Sequence, residues 1–193
     1  MPFAWPTHLR VETVSWGIKK AGVQFRSAYT GSVEAIEFPG QIWRVSVTLP
    51  PRQMYDAGAA SAFFMRMAGG METVLVPYWP RRSMLGTMQG SPTVASNVLR
   101  GALVIPISTA GTVKAGDAFS VNGQLLIAFD DASSVSGVCT VPLVNRVRAN
   151  VAAGTAVVWS QPTMKCNMPE MTHDVNYMSM IMSGFPVNME EVP

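Results

Sequence analysis

The residues that could do chemistry in this chain are few, and they do not converge. His173 beside Asp174 is the one pairing of a base with a carboxylate that could orient it. Acyl transfer would also need a Ser or Cys held against that imidazole, and neither Cys166 nor any serine lies in a recognisable nucleophile elbow. One His next to one Asp is the ordinary composition of a surface turn, so a complete catalytic constellation is missing. Two carboxylate pairs are present, Asp130-Asp131 in a loop rich in Ser and Gly and Glu190-Glu191 at the frayed C-terminal end. Glycosidase chemistry needs two carboxylates facing each other across a cleft, which neither pair supplies by itself. Gly69-Gly70 and Gly86 lack the Lys and Ser/Thr spacing of a phosphate-binding loop. Cys139 and Cys166 are far apart, and with only His8 and His173 as further soft ligands they fall short of the three or four that zinc requires. The sequence therefore implies no enzyme, no metal and no cofactor, and both cysteines are expected to be buried, reduced thiols.

Charge excludes further classes. A formal net charge of +2 on 193 residues is too small to argue for nucleic acid. Arg81-Arg82 and Arg146 with Arg148 read as solvated or interface groups rather than phosphate contacts, and sequence-specific nucleic-acid binding is not expected. No apolar run approaches the ~20 residues that span a bilayer. The opening Met1-Pro2-Phe3-Ala4-Trp5-Pro6 has no basic region followed by an apolar core. A soluble chain made in the cytoplasm, without a membrane anchor, is expected. Its hydrophobic fraction of 48% is ample for a core, while charged residues, at 13%, are about half the usual share. Much of the surface is then neutral. Buried subunit interfaces would explain this, and so would a β-rich domain poor in Lys and Glu.

The elements that must position these residues are mostly strands. Trp43, Val45, Val47 and Leu49 alternate with Arg44, Ser46 and Thr48, the pattern of a half-buried antiparallel strand. Pro50-Pro51 stops it and opens a helix expected over about 51–68. Met54, Ala57, Gly58, Ser61, Phe64, Met65 and Ala68 form its expected buried face, with Arg52, Asp56 and Arg66 opposite. Phe63 falls on the outward side, either an unremarkable exposed ring or a subunit contact. Gly69-Gly70 ends the helix and Glu72 to Val76 restarts extended structure. Before it, strands are expected at Val11 to Trp16, Val23 to Tyr29, Val33 to Phe38 and Trp43 to Leu49, punctuated by Gly22, Gly31 and Pro39-Gly40.

A loop from Pro80 to Pro92 is the expected boundary and the expected site of protease cleavage. From Val94 to Trp159 the pattern changes to short strands: Ala102 to Ile107, Ala118 to Val121, Gln124 to Phe129, Val138 to Val144 and Ala156 to Trp159. Asn122-Gly123 between two of them is a strong hairpin signal. Val113 to Ala118 is echoed by Val151 to Ala156, through duplication or shared turn chemistry. Short strands with no helical period suit a small, OB-like barrel, because closure removes sheet edges. Past the barrel, Tyr177, Ser179, Ile181 and Ser183 alternate with Met178, Met180 and Met182 as sheet. The expectation is a mainly β chain: an antiparallel β-sandwich with one helix from residues 1–93 and 161–193, and an inserted small barrel at 94–160. Tyr78-Trp79, rigid between prolines and beside Arg81-Arg82, either caps the core or makes an interface contact.

The order of several weak motifs carries a resemblance. Ala28-Tyr29-Thr30-Gly31, Trp43 to Pro51, the helix, Pro77-Tyr78-Trp79-Pro80-Arg81-Arg82, Gly86-Thr87 and Ala115-Gly116-Asp117 are similar to tail proteins of tailed bacteriophages. The chain resembles the distal tail proteins that build the hub ring at the tail tip. That resemblance implies a structural virion protein in a homo-oligomeric ring, six-fold, connecting the tail tube to the central hub and to fibre or receptor-binding proteins. It implies the same inserted-barrel layout and residence in the phage tail. Phe63, Tyr78, Trp79, Arg81 and Arg82 are the interface candidates. Two rival readings are a carbohydrate- or ligand-binding module built on the barrel and, with less support, a tail-associated hydrolase.

Overall fold

The computed structural model describes residues 2–81, 83–170, 177–178 and 181–192, and the side chains of all of these except 39, 54–56, 177 and 178. The chain is mainly β, with several antiparallel sheets and a sandwich character. It begins with β1 (Phe3–Ala4), β2 (Thr13–Arg26), β3 (Val33–Thr48), β4 (Arg52–Gln53), helix α1 (Met54–Met67) and β5 (Val74–Pro77). The four strands expected before the helix are therefore two long ones. Gly31, at φ 69°, makes the turn between them, but Gly22 and Pro39-Gly40 lie within the ladder. A Cβ at Gly22 would stand 2.7 Å from the Ile36 carbonyl oxygen, so glycine there lets the strands approach rather than ending one. Pro39-Gly40 falls in the register shift between the pairs Lys19 with Ile42 and Ala21 with Phe38, where a residue without an N–H breaks no ladder bond.

The helix starts three residues later than expected, because Arg52-Gln53 pair with Ile181–Met182 of β16. Its buried side also differs: Ala57, Ala60, Ser61, Phe64 and Met67 face inward, whereas Gly58 and Met65 are exposed. Spacings of three and four fit both faces when nearly every residue is apolar, so periodicity alone did not fix the rotation. Gly69, at φ 82°, closes the following turn as expected.

The second stretch comprises β6 (Thr93–Val94), β7 (Val104–Ser108), β8 (Thr112–Val113), β9 (Ala118–Val121), β10 (Gln124–Ile127), β11 (Ala132–Val135), β12 (Val138–Pro142) and β13 (Val157–Val158). Asn122 and Gly123 have φ of 50° and 80°, the tight turn that joins β9 to β10. Gly116 and Gly154, both at φ 81°, occupy the two echoed segments, each beside a backbone bond across four residues. The strands form sheets in the order β10-β9-β13 and β6-β7-β12-β11-β8. Isolated bridges, Thr93 to Ala156 and Ala128 to Leu143, link these sheets.

The chain then returns through β14 (Thr163–Asn167), β15 (Tyr177–Met178), β16 (Ile181–Met182) and β17 (Pro186–Glu191). The large sheet reads β1-β5-β14-β17-β3-β2, so residues from both ends of the chain share it. Of the methionine alternation, Met182 is buried, Met180 and Ser179 lie outside the described residues, and the Met178 side chain is not described. Buried apolar side chains fall into two clusters. One joins β3, α1, β5, β14 and β17 and draws in Ala118 and Leu125; the other joins β6 to β13 with Met88.

The loop between them is not a free linker. Gly86 packs so closely on Thr112 that a Cβ would lie 2.2 Å from its carbonyl oxygen, and Met88 is buried. The Leu85 and Gly86 N–H groups donate to the Asp117 carboxylate. Protease cleavage is thus expected only once this anchoring is lost.

Candidate assembly surface

Along β2 and β3 the apolar side chains change sides. In the body of the sheet Val14, Trp16 and Ile18 of β2 pair with Val47, Val45 and Trp43 of β3 on the inner face, over the first core, and Ser15, Gly17, Arg44 and Ser46 face outward. Beyond the register shift, Ala21, Val23 and Phe25 pair with Phe38, Ile36 and Glu34. The sequence separation across the shift is even on both strands, Ala21 following Lys19 by two and Phe38 preceding Ile42 by four, so these residues continue the outer face. The inner face there becomes polar, with Lys20, Gln24, Glu37 and Gln41. Residues 20–38 form a two-stranded arm whose apolar side points away from both cores. Phe25 is 57% exposed, Ile36 53% and Phe38 48%, and Tyr29 at the tip is fully exposed. A lone two-stranded ribbon is marginally stable in water, and an open apolar face on it marks a contact surface.

The base of the arm is braced. Arg146 donates from its backbone N–H to the Gln41 side chain at 3.2 Å and pairs through Nη2 with Glu37 at 3.4 Å. Lys20 pairs with Glu37 from the other side at 3.5 Å. Desolvation, the largest single influence, raises the Glu37 carboxyl, but the charges and hydrogen bonds of Lys20 and Arg146 together outweigh it and leave the pKa below its ordinary value. A polar seam behind them couples the two clusters. Glu191, wholly buried, accepts hydrogen bonds from the backbone N–H of Leu125 at 2.9 Å and of Trp43 at 3.2 Å, and pairs with Arg148 at 2.9 Å. The Trp43 indole and the Asn145 amide both donate to the Leu125 carbonyl oxygen. Glu190 and Glu191 are therefore not in a frayed end but in a paired strand. Glu190 and Glu191 are consecutive residues of a strand and point to opposite faces, Glu190 outward to Arg44 at 2.9 Å, so they cannot work as a pair.

The interface candidates from sequence are mostly occupied within the chain. Phe63 is half-buried and meets Trp5 and Phe64 edge to face, at 6.2 and 5.1 Å between centroids. Trp79 meets Trp5 at 5.0 Å, and Tyr78 meets Trp16 at 5.1 Å. Trp5 thus gathers Phe63 and Trp79, while Tyr78 points elsewhere, as neighbours on a strand end do. Arg81 reaches Asp117 at 3.4 Å. Arg82 lies outside the described residues, as do His173 and Asp174. The arm was missed because its alternation reads as ordinary strand, although the swap from odd apolar positions at Trp43 to Leu49 to even ones at Ile36 and Phe38 was legible as a signal.

Of the other chemistry-bearing residues, Asp131 pairs with Lys114 at 2.6 Å, which lowers the carboxyl's pKa and raises the ammonium's. No group of three His, Cys, Asp or Glu that could hold a metal ion occurs among the described residues. No described helix is long and apolar enough to cross a membrane. Cys139 in β12 and Cys166 in β14 are free, buried and in different clusters. Burial pushes both thiols up, Cys166 far up, with the Glu191 charge adding to it. Thiolate is the reactive form, so neither cysteine should be alkylated by iodoacetamide at neutral pH in the folded protein, and both should be after denaturation. Mass spectrometry showing rapid labelling of native protein would contradict the buried placement. No family model matches the chain, and no curated protein matches its sequence.

Proposed function

We propose that this protein is a structural component of a phage virion, a distal-tail hub protein that assembles through copies of itself into a ring. The observation that carries the reading is the arm: an apolar face on the outer side of the sheet that none of the described residues covers. Low charge and the motif order that resembles distal tail proteins support it. In this reading the ring is six-fold and joins the tail tube to the central hub and to receptor-binding parts. The unit spanning about 94–160, taken as the inserted OB-like barrel, is carried rigidly by the Glu191 seam. The mechanism is burial and shape, with no bond made or broken.

Electron microscopy and light scattering of the purified chain test this. Rings are expected for wild type. Replacing residues 23–36 with a short turn, which keeps Glu37 and its pairs with Lys20 and Arg146, should leave folded monomers with a β-type circular dichroism spectrum, because the apolar side of the arm packs on neither core. A wild-type chain that stays monomeric at high concentration, and that is absent from rings in whole particles, overturns the hub assignment.

A further inference from the structure

We infer that the arm of one copy seats on the outer face of helix α1 of the next copy, its aromatic side chains filling the cleft between that helix and the N-terminal segment; this rests on the ring reading above.

Helix α1 supplies the complementary surface. From Ala57 to Met65 it carries no charge, and its outer positions Gly58, Ala59 and Ala62 are exposed. A helix that is apolar all round belongs in an interior. Beside it lies a cleft of about 330 Å3 lined by Phe3, Pro6, His8, Ala59, Ala62 and Phe63, with Arg66 at its edge. Small residues on the helix leave a flat floor, and the arm presents bulky side chains. Surfaces of those two shapes pack without a void.

Geometry excludes the contact within one chain. The arm leaves the Trp43 end of β3, and α1 follows the opposite end after Leu49. At about 3.3 Å per residue, Val33 to Val47 spans on the order of 45 Å of continuous strand. The helix also lies over the inner face of the sheet, with Phe64 and Met67 in the same cluster as Val45 and Val47, whereas the apolar side of the arm faces outward. The two surfaces sit at opposite ends and on opposite sides, so they meet only between copies. A contact joining two different patches is heterologous, the kind that closes into rings.

The occupant is a second copy on two further grounds. Free aromatic side chains present roughly 150–250 Å2 each. Scaled by their exposure, Tyr29, Phe25, Phe38, Ile36 and Val23 leave on the order of 500 Å2 open, most of the ~800 Å2 per partner of a stable interface. Charge also matches. The arm's ion pairs use Glu37, leaving Glu34 with no cation partner among the described residues. Glu34 stands on the apolar face opposite Phe25, and the cleft carries Arg66, which lies over the Phe3 ring and makes an exposed 3.4 Å pair with Glu72 that a second carboxylate can share.

Mixing two broken proteins tests this directly. Phe25→Asp with Phe38→Asp removes the arm contact, and Ala62→Glu blocks the cleft; Ala59→Glu is the alternative should Ala62→Glu unfold. Each protein alone should be monomeric by analytical ultracentrifugation at roughly tens of micromolar, a range in which a standard-size interface is occupied. Mixed, they should form one-to-one dimers and nothing larger, because one intact arm meets one intact cleft and both outer ends are blocked. Rings formed by both cleft variants, self-association through two arms, or a mixture that stays monomeric each overturn the inference while leaving the ring reading intact. A monomeric wild type overturns both.

Discussion

Replacing Asp117 by Ala is expected to cost about 3–5 kcal/mol, the range for breaking one side of a buried charged network. The carboxylate is wholly buried and accepts three backbone N–H bonds, from Leu85 at 2.7 Å, Gly86 at 2.9 Å and Lys114 at 2.8 Å, with Arg81 at 3.4 Å. Ala leaves the three N–H groups without the acceptor that holds the loop, and removes the buried anion that Arg81 faces. Asp117→Asn should lose less, since one oxygen still accepts, though its amide then confronts a donor. Urea unfolding would give the loss. Limited proteolysis would localise it: wild type should resist cleavage in 83–90, and the Ala variant should be cut there. A loss below about 1 kcal/mol with unchanged proteolysis would mean that the loop is held by packing alone.

Glu191→Ala is expected to be of similar size, about 3–5 kcal/mol, because it strands Arg148 in the interior. Arg148 is about nine-tenths buried, and its Nε and Nη1 already lack partners. Replacing both residues, Glu191→Leu with Arg148→Met, should restore most of the loss, since apolar groups of similar volume remove two desolvated charges together. A double variant as unstable as Glu191→Ala would show instead that the bonds to Trp43 and Leu125 carry the stability.

The pair also fixes a pH dependence. Burial pushes the Glu191 carboxyl up to about 7, against the opposing pull of Arg148 and of the Leu125 and Trp43 N–H groups; Cys166 is the other titratable group beside it. The folded protein therefore holds this proton more tightly than the unfolded chain, whose ordinary value is 4.5. The contribution of Glu191 is fully present below about pH 4.5 and declines as pH rises to about 7. Stability of wild type relative to Glu191→Gln should fall across that window and level off above it. A difference that grows with pH would place the carboxyl below its ordinary value.

Local chemistry made several elements legible. Alternation from Trp43 to Leu49 marked a strand with one apolar face, and Asn122-Gly123 marked a hairpin because both residues tolerate positive φ. The glycines after Met67 marked the end of α1. Each of these depends on neighbours within a few residues. The length of β2 and β3 was not legible, because glycine and proline break strands in isolation but are accommodated at a register shift. Nor was the rotation of α1, since an apolar helix offers no polar face to exclude. The roles of Asp117 and Glu191 were equally hidden: one appeared as part of a turn motif and the other as a terminal acid.

By itself the sequence determined the strand-and-turn content and the single long helix among the described residues, which follow from side-chain size, backbone freedom and residue type. Only the tertiary structure decided what each face meets. Glu191 finds its donors 66 and 148 residues away, and chain topology, which no local propensity encodes, sets such partners. The arm shows the same division: its alternation stated that one side is apolar, and only the three-dimensional course of β2 and β3 showed that this side points away from both cores.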